Sequence, residues 1–375
     1  MIRGVALTVM IGPAVPVPAP RAVVEALTDA TVTVPDQGPS VFQLRFGLAK
    51  GSPLETLFLL TGGNLPPLLR VLLIATVNGM PNVLVDGVAT ETDITPGGGS
   101  SLATLTVRGE DLSRVMDYFE LDGVPYPALP APARVALMLA KYAAFGVIPL
   151  VIPTIFTDVP NPVEVIPAQR GTDLAYIKEL AAEAGYVFYL DPGPAPGTSV
   201  AYWGPQIKVG VPQPALNLDL DAHTNVESLT FSIDTQQREL PVVWIHSKLT
   251  KSPIPIPIPD LSPLSPPLGL VQPLPQNIVN LSGTARHSPV RAAAIGLTRA
   301  AQSAEVVRAS GSLDVVRYGR VLKPRGLVGV RGAGIAFDGL YYVKSVTHSI
   351  KRGEYKQSFE LTRNGLVSTV PRVAA

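Results

Sequence analysis

The sequence of 375 residues contains no cysteine, which excludes disulfides and thiolate metal sites and fits synthesis in a reducing compartment. Histidine is nearly as scarce: His223, His246, His287 and His348 stand far apart, and no two share metal-ligand spacing. Long apolar runs are missing as well. The longest candidate, Ala143 to Phe156, is broken by Pro149 and Pro153 and falls short of the roughly 20 apolar residues a helical membrane span needs. At the N-terminus, Arg3 and the apolar stretch from Gly4 to Gly12 imitate a signal peptide. The proline-rich stretch from Pro13 to Pro18 that follows offers no convincing cleavage site.

Catalytic motifs are absent in the same way. No Gly-x-Ser-x-Gly elbow occurs. Gly329, Gly332 and Gly334 are in the wrong order for a dinucleotide loop and fit turns between strands. The carboxylates Glu110-Asp111, and Asp219 with Asp221, have nothing that sets an acid opposite a nucleophile, and Glu110-Asp111 more simply opens a helix. The expectation is a protein that is not an enzyme and carries no cofactor or metal.

What is present is apolar surface and β-patterning. A hydrophobic fraction of 46% and a mean hydropathy of +0.29, in a chain without a span, suggest surface reserved for partner subunits. Phe42, Leu44, Phe46 and Leu48 alternate with polar residues, as do Leu229, Phe231 and Ile233. From Leu313 to Gly319, Val328 to Gly334 and Asp338 to Val343, the chain reads as short strands between glycine turns. A last strand, Tyr355 to Arg363, places Tyr355, Gln357, Phe359 and Leu361 on one face. Val85, Val88, Ile94 and Leu105 to Gly109 follow the same order as Val343, Val346, Ile350 and Leu361 to Gly365, the pattern of a duplicated hairpin, although two unrelated hairpins could also share such turn chemistry.

The middle of the chain has helical spacing instead. Leu112, Val115, Met116 and Phe119 predict one helix, Val135, Met138, Leu139 and Tyr142 a second, and Leu174, Ile177, Leu180, Ala181 and Ala184 a third. Thr172 caps the third and Gly185 stops it. Ser288, Pro289 and Gly311 bracket a fourth, whose alanine-rich stripe suits close packing on a sheet. The expected fold is α+β and mainly β. Its divisions are residues 1–109 and 226–375 as antiparallel β modules, with residues 110–225 as a middle α/β domain.

Two further features suggest partner contacts. Residues 251–277 hold a proline-rich insertion that cannot form a helix or a central strand, and polyproline II is its natural state. Pro253, Ile254, Ile256, Ile258, Leu261, Leu264 and Leu268 make it too apolar for a solvated linker, so an ordered arm docked on this or a neighbouring subunit is expected. Charge is divided along the chain: residues 286–375 carry 15 Lys/Arg against 5 Asp/Glu, a net +10, leaving 15 against 24, a net −9, for the residues before them. Arg317, Arg320, Arg325 and Arg331 are the candidate contacts of the basic region. Complementarity between subunits, weakened by salt, explains the division more simply than nucleic-acid binding.

The strand ending Leu361-Thr362-Arg363-x-Gly365, and the run Thr172-Asp173-Leu174-Ala175-Tyr176-Ile177 leading to Ala184-Gly185-Tyr186-Val187-Phe188-Tyr189, resemble the hub proteins of contractile tails. That family includes the late-control D protein of phage tails, the hub half of VgrG spikes and the hubs of extracellular injection systems. The resemblance implies two barrels related to the tail-tube subunit in each chain and a homotrimeric ring in the baseplate of a particle assembled in the bacterial cytoplasm. The implied partners are the inner tube or a tube-initiator protein, a spike and baseplate wedge proteins. VgrG chains continue into a needle whereas this sequence stops soon after Gly365, so a separate spike polypeptide is expected. Alternatives are a β-rich adhesin or binding module, a hub that also carries a peptidoglycan hydrolase, and a hub that contacts nucleic acid in its channel.

Overall fold

The computed structural model describes residues 4–48, 54, 68–97, 103–154, 159–160, 162–163, 166–246, 252–260, 264–284 and 289–370. Alternating apolar residues produce twelve principal strands, which form two sets of six. The first set is β1 (Val5–Gly12), β2 (Leu27–Pro35), β3 (Val41–Leu48), β4 (Arg70–Val77), β5 (Met80–Thr95) and β6 (Ala103–Asp111). The second is β7 (Gln213–Asn217), β8 (Ser228–Ile233), β9 (Val307–Asp314), β10 (Leu327–Arg331), β11 (Gly339–Lys351) and β12 (Glu354–Arg363).

The two sets pair in the same spatial order. In the first it is β1-β4-β5-β6-β3-β2, and in the second β7-β10-β11-β12-β9-β8. Each strand therefore has a counterpart six places later. Only the outermost pairing differs, since β1 and β4 run antiparallel and β7 and β10 parallel. The halves are joined by hydrogen bonding: β11 pairs with β10 over Gly339–Tyr342, and then along the same edge with β2, Ser345 to Lys351 against Pro35 to Asp29. One thirteen-stranded sheet and one apolar core run through both halves, with Leu44, Phe46 and Leu105 sharing a cluster with Val343, Tyr355 and Leu361.

Both central hairpins carry a β-bulge, between Ala89 and Glu91 in β5 and between Val343 and Ser345 in β11. Superposing the bulges lays Thr90 on Lys344 and Ala89 on Val343. The duplication read from the sequence is present, but its register differs from the one expected, which placed Val85 on Val343. Apolar alternation repeats every two residues and cannot report the slip.

The middle region holds helices α1 (Ala131–Ala140) and α2 (Asp173–Ala184) and a three-stranded sheet of Val147–Val151, Ser199–Gly204 and Val187–Pro192. Its core gathers Val135, Met138, Ile177, Leu180 and the fully buried Trp203. The predicted caps of α2 are both formed: the Ala175 amide donates to Thr172 Oγ1 at 3.1 Å, and Gly185 takes the left-handed conformation.

Three local expectations are corrected. Residues Leu112–Asp117 form a 3-10 helix, because buried Asp111 ends β6 and caps only a short turn, accepting from the Ser113 and Ser40 amides. The fourth helix, α3 (Pro289–Ser303), stops well before Gly311, and Ser288 lies outside the described residues. Gly311 belongs to β9, where a Cβ would collide with the Ser228 carbonyl and Phe359, so close packing rather than helix termination requires it. Val315–Tyr318 is a helical turn capped by Asp314 rather than a strand.

Candidate assembly surface

The proline-rich arm is built into the chain's own sheets. Pro253–Pro257 pairs antiparallel with Glu239–His246, whose other side pairs with Asn277–Leu281, and α3 lies against this small sheet. The Ile258 amide donates to the Pro241 carbonyl at 2.9 Å, which sets the alternation: Ile254, Ile256 and Ile258 turn their amides toward the neighbouring strand. Pro253, Pro255 and Pro257 therefore face the open edge, where a missing N–H costs nothing. Polyproline II was expected here, and an edge strand is what forms. At α3 the absent side chain of Gly296 makes room for Ile258 and Val243.

The far end of the arm is stitched to the second half. Leu268 is buried with Leu327 and Tyr342, and the Leu268 and Gly269 amides donate to Asn364 Oδ1 at 2.9 and 3.1 Å. Gly269–Val271 then pairs with Leu366–Ser368. Pro253, Ile254 and Leu264 are exposed, whereas Leu261 lies outside the described residues.

The four candidate arginines occupy different surroundings. Arg317 and Arg320 are exposed and Arg331 is half-buried. Arg325 is turned inward: its guanidinium donates to the Pro35 and Asp36 carbonyls at 2.8 and 3.1 Å and to Asp191 at 3.1 Å, and lies 3.9 Å from the centre of the Tyr189 ring. It ties together the end of β2, the middle sheet and the approach to β10. A planar cation with five donors suits such a junction, which is why it is not available to a partner.

Beside Arg325 lies a buried polar network that spacing alone did not reveal. Lys208 and Lys344 pair with Glu305, and the Gln206 amide donates to Asp36 at 2.9 Å. Burial, and next the nearby Glu305 charge, raise the Asp36 carboxyl to about 6. The adjoining cleft of about 330 Å³ is lined by Gln37, Gln237, Glu239 and Arg299. Every charge named in this network meets an opposite charge or a donor, so the network ties together the segments that carry Asp36, Lys208, Glu305 and Lys344. Among the described residues no His, Asp and Glu converge as a metal site, and no helix is long and apolar enough to cross a membrane.

No family model matches the sequence, and no curated protein does. Solved structures do share the fold. A tail protein from Neisseria meningitidis MC58 aligns over 97% of this chain and 98% of its own at 13% identity, with a TM-score of 0.60. The 43 kDa tail protein of prophage MuSo2 from Shewanella oneidensis aligns over 96% and 98% at 15% identity, with a TM-score of 0.61. A PdpA-VgrG complex aligns over 99% of this chain and 67% of the matched chain at 8% identity, with a TM-score of 0.56. At such identities the likeness is one of fold, an α+β and mainly β architecture common to tail proteins and a VgrG complex.

Proposed function

We propose that this chain is a structural hub in the baseplate of a phage-like contractile injection machine. Three copies form a ring that joins the six-fold inner tube to the three-fold spike. The observation that carries this reading is the paired set of six strands in one order within a single chain. Three chains present six such sets, matching a tube of six subunits, while the ring keeps the symmetry of a trimeric spike. The full-length fold likeness to two tail proteins supports the same role. Its partners are then the tube or its initiator on one face, the spike on the other and wedge proteins at the rim.

Electron microscopy and solution mass of the purified protein, alone and with its tube and spike partners, test the proposal. A three-fold ring with a central channel is expected. A protein that stays a monodisperse monomer at high micromolar concentration under both conditions contradicts it.

A further inference from the structure

Among the described residues the joint between β2 and β11 is made once within the chain, and both of its sides recur elsewhere without a partner. The counterpart of β11 is β5. Beyond its bulge β11 exchanges β10 for β2, whereas β5 leaves β4 after the Arg70 to Val88 pair and runs on to Thr95 with no strand on that side among the described residues. The counterpart of β2 is β8, the last strand of the sheet path, paired with β9 alone. Among the described residues the chain thus has an open edge of each kind that the joint brings together.

The hydrogen-bonding groups of these edges point the right way. The Asp36 amide donates to the Lys344 carbonyl, which sets Ala30, Val32 and Val34 facing Ile350, His348 and Val346, respectively, across the joint. The Asp234 amide donates to the Val306 carbonyl in the β8–β9 ladder, so Leu229, Phe231 and Ile233 turn their amides and carbonyls outward. Aligning the bulges and following the ladders lays Val32 on Phe231, Val34 on Ile233 and His348 on Ile94. At these matched positions exposure differs sharply: Ile94 and Ile233 are 43% and 44% exposed, His348 and Val34 only 3% and 5%.

We infer that Thr92–Thr95 of one copy pairs antiparallel with Thr230–Ile233 of the next, repeating between chains the joint that β2 and β11 make within one. The register follows from the alignment, with Ile94 opposite Phe231 and Asp93 opposite Ser232. In the internal joint the latter position is held by Thr33 and Thr347, whose hydroxyls lie 3.0 Å apart. Between chains the Ser232 hydroxyl donates to the Asp93 carboxylate, and Thr95 faces Thr230. The occupant is a second copy because the two edges complement each other and do not pair within the chain, where they lie seven ladder steps apart in the sheet. This head-to-tail contact closes into a ring when the rotation per copy allows.

The edge of the arm strand is treated differently. Pro253, Pro255 and Pro257 remove every outward donor from the arm strand, the usual defence against unwanted pairing, while Glu91–Thr95 and Ser228–Ile233 contain no proline.

This inference rests on the ring reading and names its interface. Because the native sequence has no cysteine, a double variant Asp93→Cys with Ser232→Cys can form disulfides only through the introduced residues. Facing residues of a non-hydrogen-bonded antiparallel pair stand about 4.5 Å apart at Cα, within disulfide reach. After mild oxidation of assembled protein, most chains are expected as covalent two- and three-chain species. Each single variant, and Asp93→Cys with Phe231→Cys, whose side chains point to opposite faces, should remain uncrosslinked. Rings by microscopy without these crosslinks overturn the pairing and leave the ring standing. Crosslinked open chains without rings support the pairing and overturn the ring, and uncrosslinked monomer overturns both.

Discussion

The two halves use the same close packing at different crossings of the same ladder. Between the third and sixth strands of the first half, Phe42 lies opposite Gly109, with its ring where a glycine Cβ would stand. At the matching ladder of the second half, Gly311 lies opposite Phe359. By the bulge alignment Phe42 and Gly109 lie on Ala309 and Leu361, so the two tight crossings sit two residues apart and either strand can supply the ring where the other supplies the space. The ends of the sixth strands show a similar exchange. Asp111 is a buried anion held by the Ser40 and Ser113 amides, and Arg363, laid on it by the bulge alignment, is a buried cation donating to the Gly365, Asp338 and Ala336 carbonyls at 2.7, 2.9 and 2.7 Å. A charge of either sign can pin the following loop because the backbone offers both donors and acceptors.

The strongest way to break this symmetry is Arg363→Met. Three carbonyls lose a charged donor together, and a loss of about 3 kcal/mol is expected in urea unfolding. Asp111→Asn keeps the shape and one acceptor and should cost about 1–2 kcal/mol. Equal small losses at both sites would mean that neither charge pins its loop.

Gly109→Ala and Gly311→Ala should each cost about 1–3 kcal/mol by overpacking. In both, the added methyl meets a backbone carbonyl as well as the ring, of Val88 in one case and Ser228 in the other. Trimming the facing phenylalanine to leucine should therefore fail to restore stability, and recovery in either double variant would place the obstacle in the ring alone.

Acidity separates the two sides of the internal joint. Asp36, just past β2, has its carboxyl raised to about 6 from an ordinary 3.8, mainly by burial, so its share of stability is full below about 4 and is lost as pH rises through 6. His348 on β11 is buried and lowered to about 3 from 6.5, so its share is present above 6.5 and is lost as pH falls toward 3. Between pH 4 and 6 the slopes oppose. Asp36→Asn should leave the His348 contribution unopposed, so that stability falls more steeply on acidification across that window, and His348→Gln should leave that of Asp36, so that it rises relative to the parent. Urea midpoints at successive pH values measure both, and unchanged slopes would remove the two groups as the source.

Much of this architecture was legible where the determinants are local. The period-two faces of Tyr355 to Leu361 and the caps of α2 depend on neighbours a few residues away. Gly311 was misread because its reason lies on other strands, and the arm because proline was weighed for what it forbids in a helix or a central strand and not for which alternate donors it removes at an edge. Arg325 carries no mark in the sequence of the three elements it joins. The β2–β11 joint, made by residues more than three hundred positions apart, left no trace in either strand's own pattern.

That joint also sets an order of events during synthesis. At roughly 5–20 residues per second, about 300 residues separate β2 from its partner by some 15–60 seconds. Through that interval the nascent first half carries an uncovered strand edge, which other growing chains on the same messenger could pair with before β11 emerges. Timely burial of β2 thus depends on translation speed and chaperone cover, a demand imposed by placing the closing strand about 300 residues downstream.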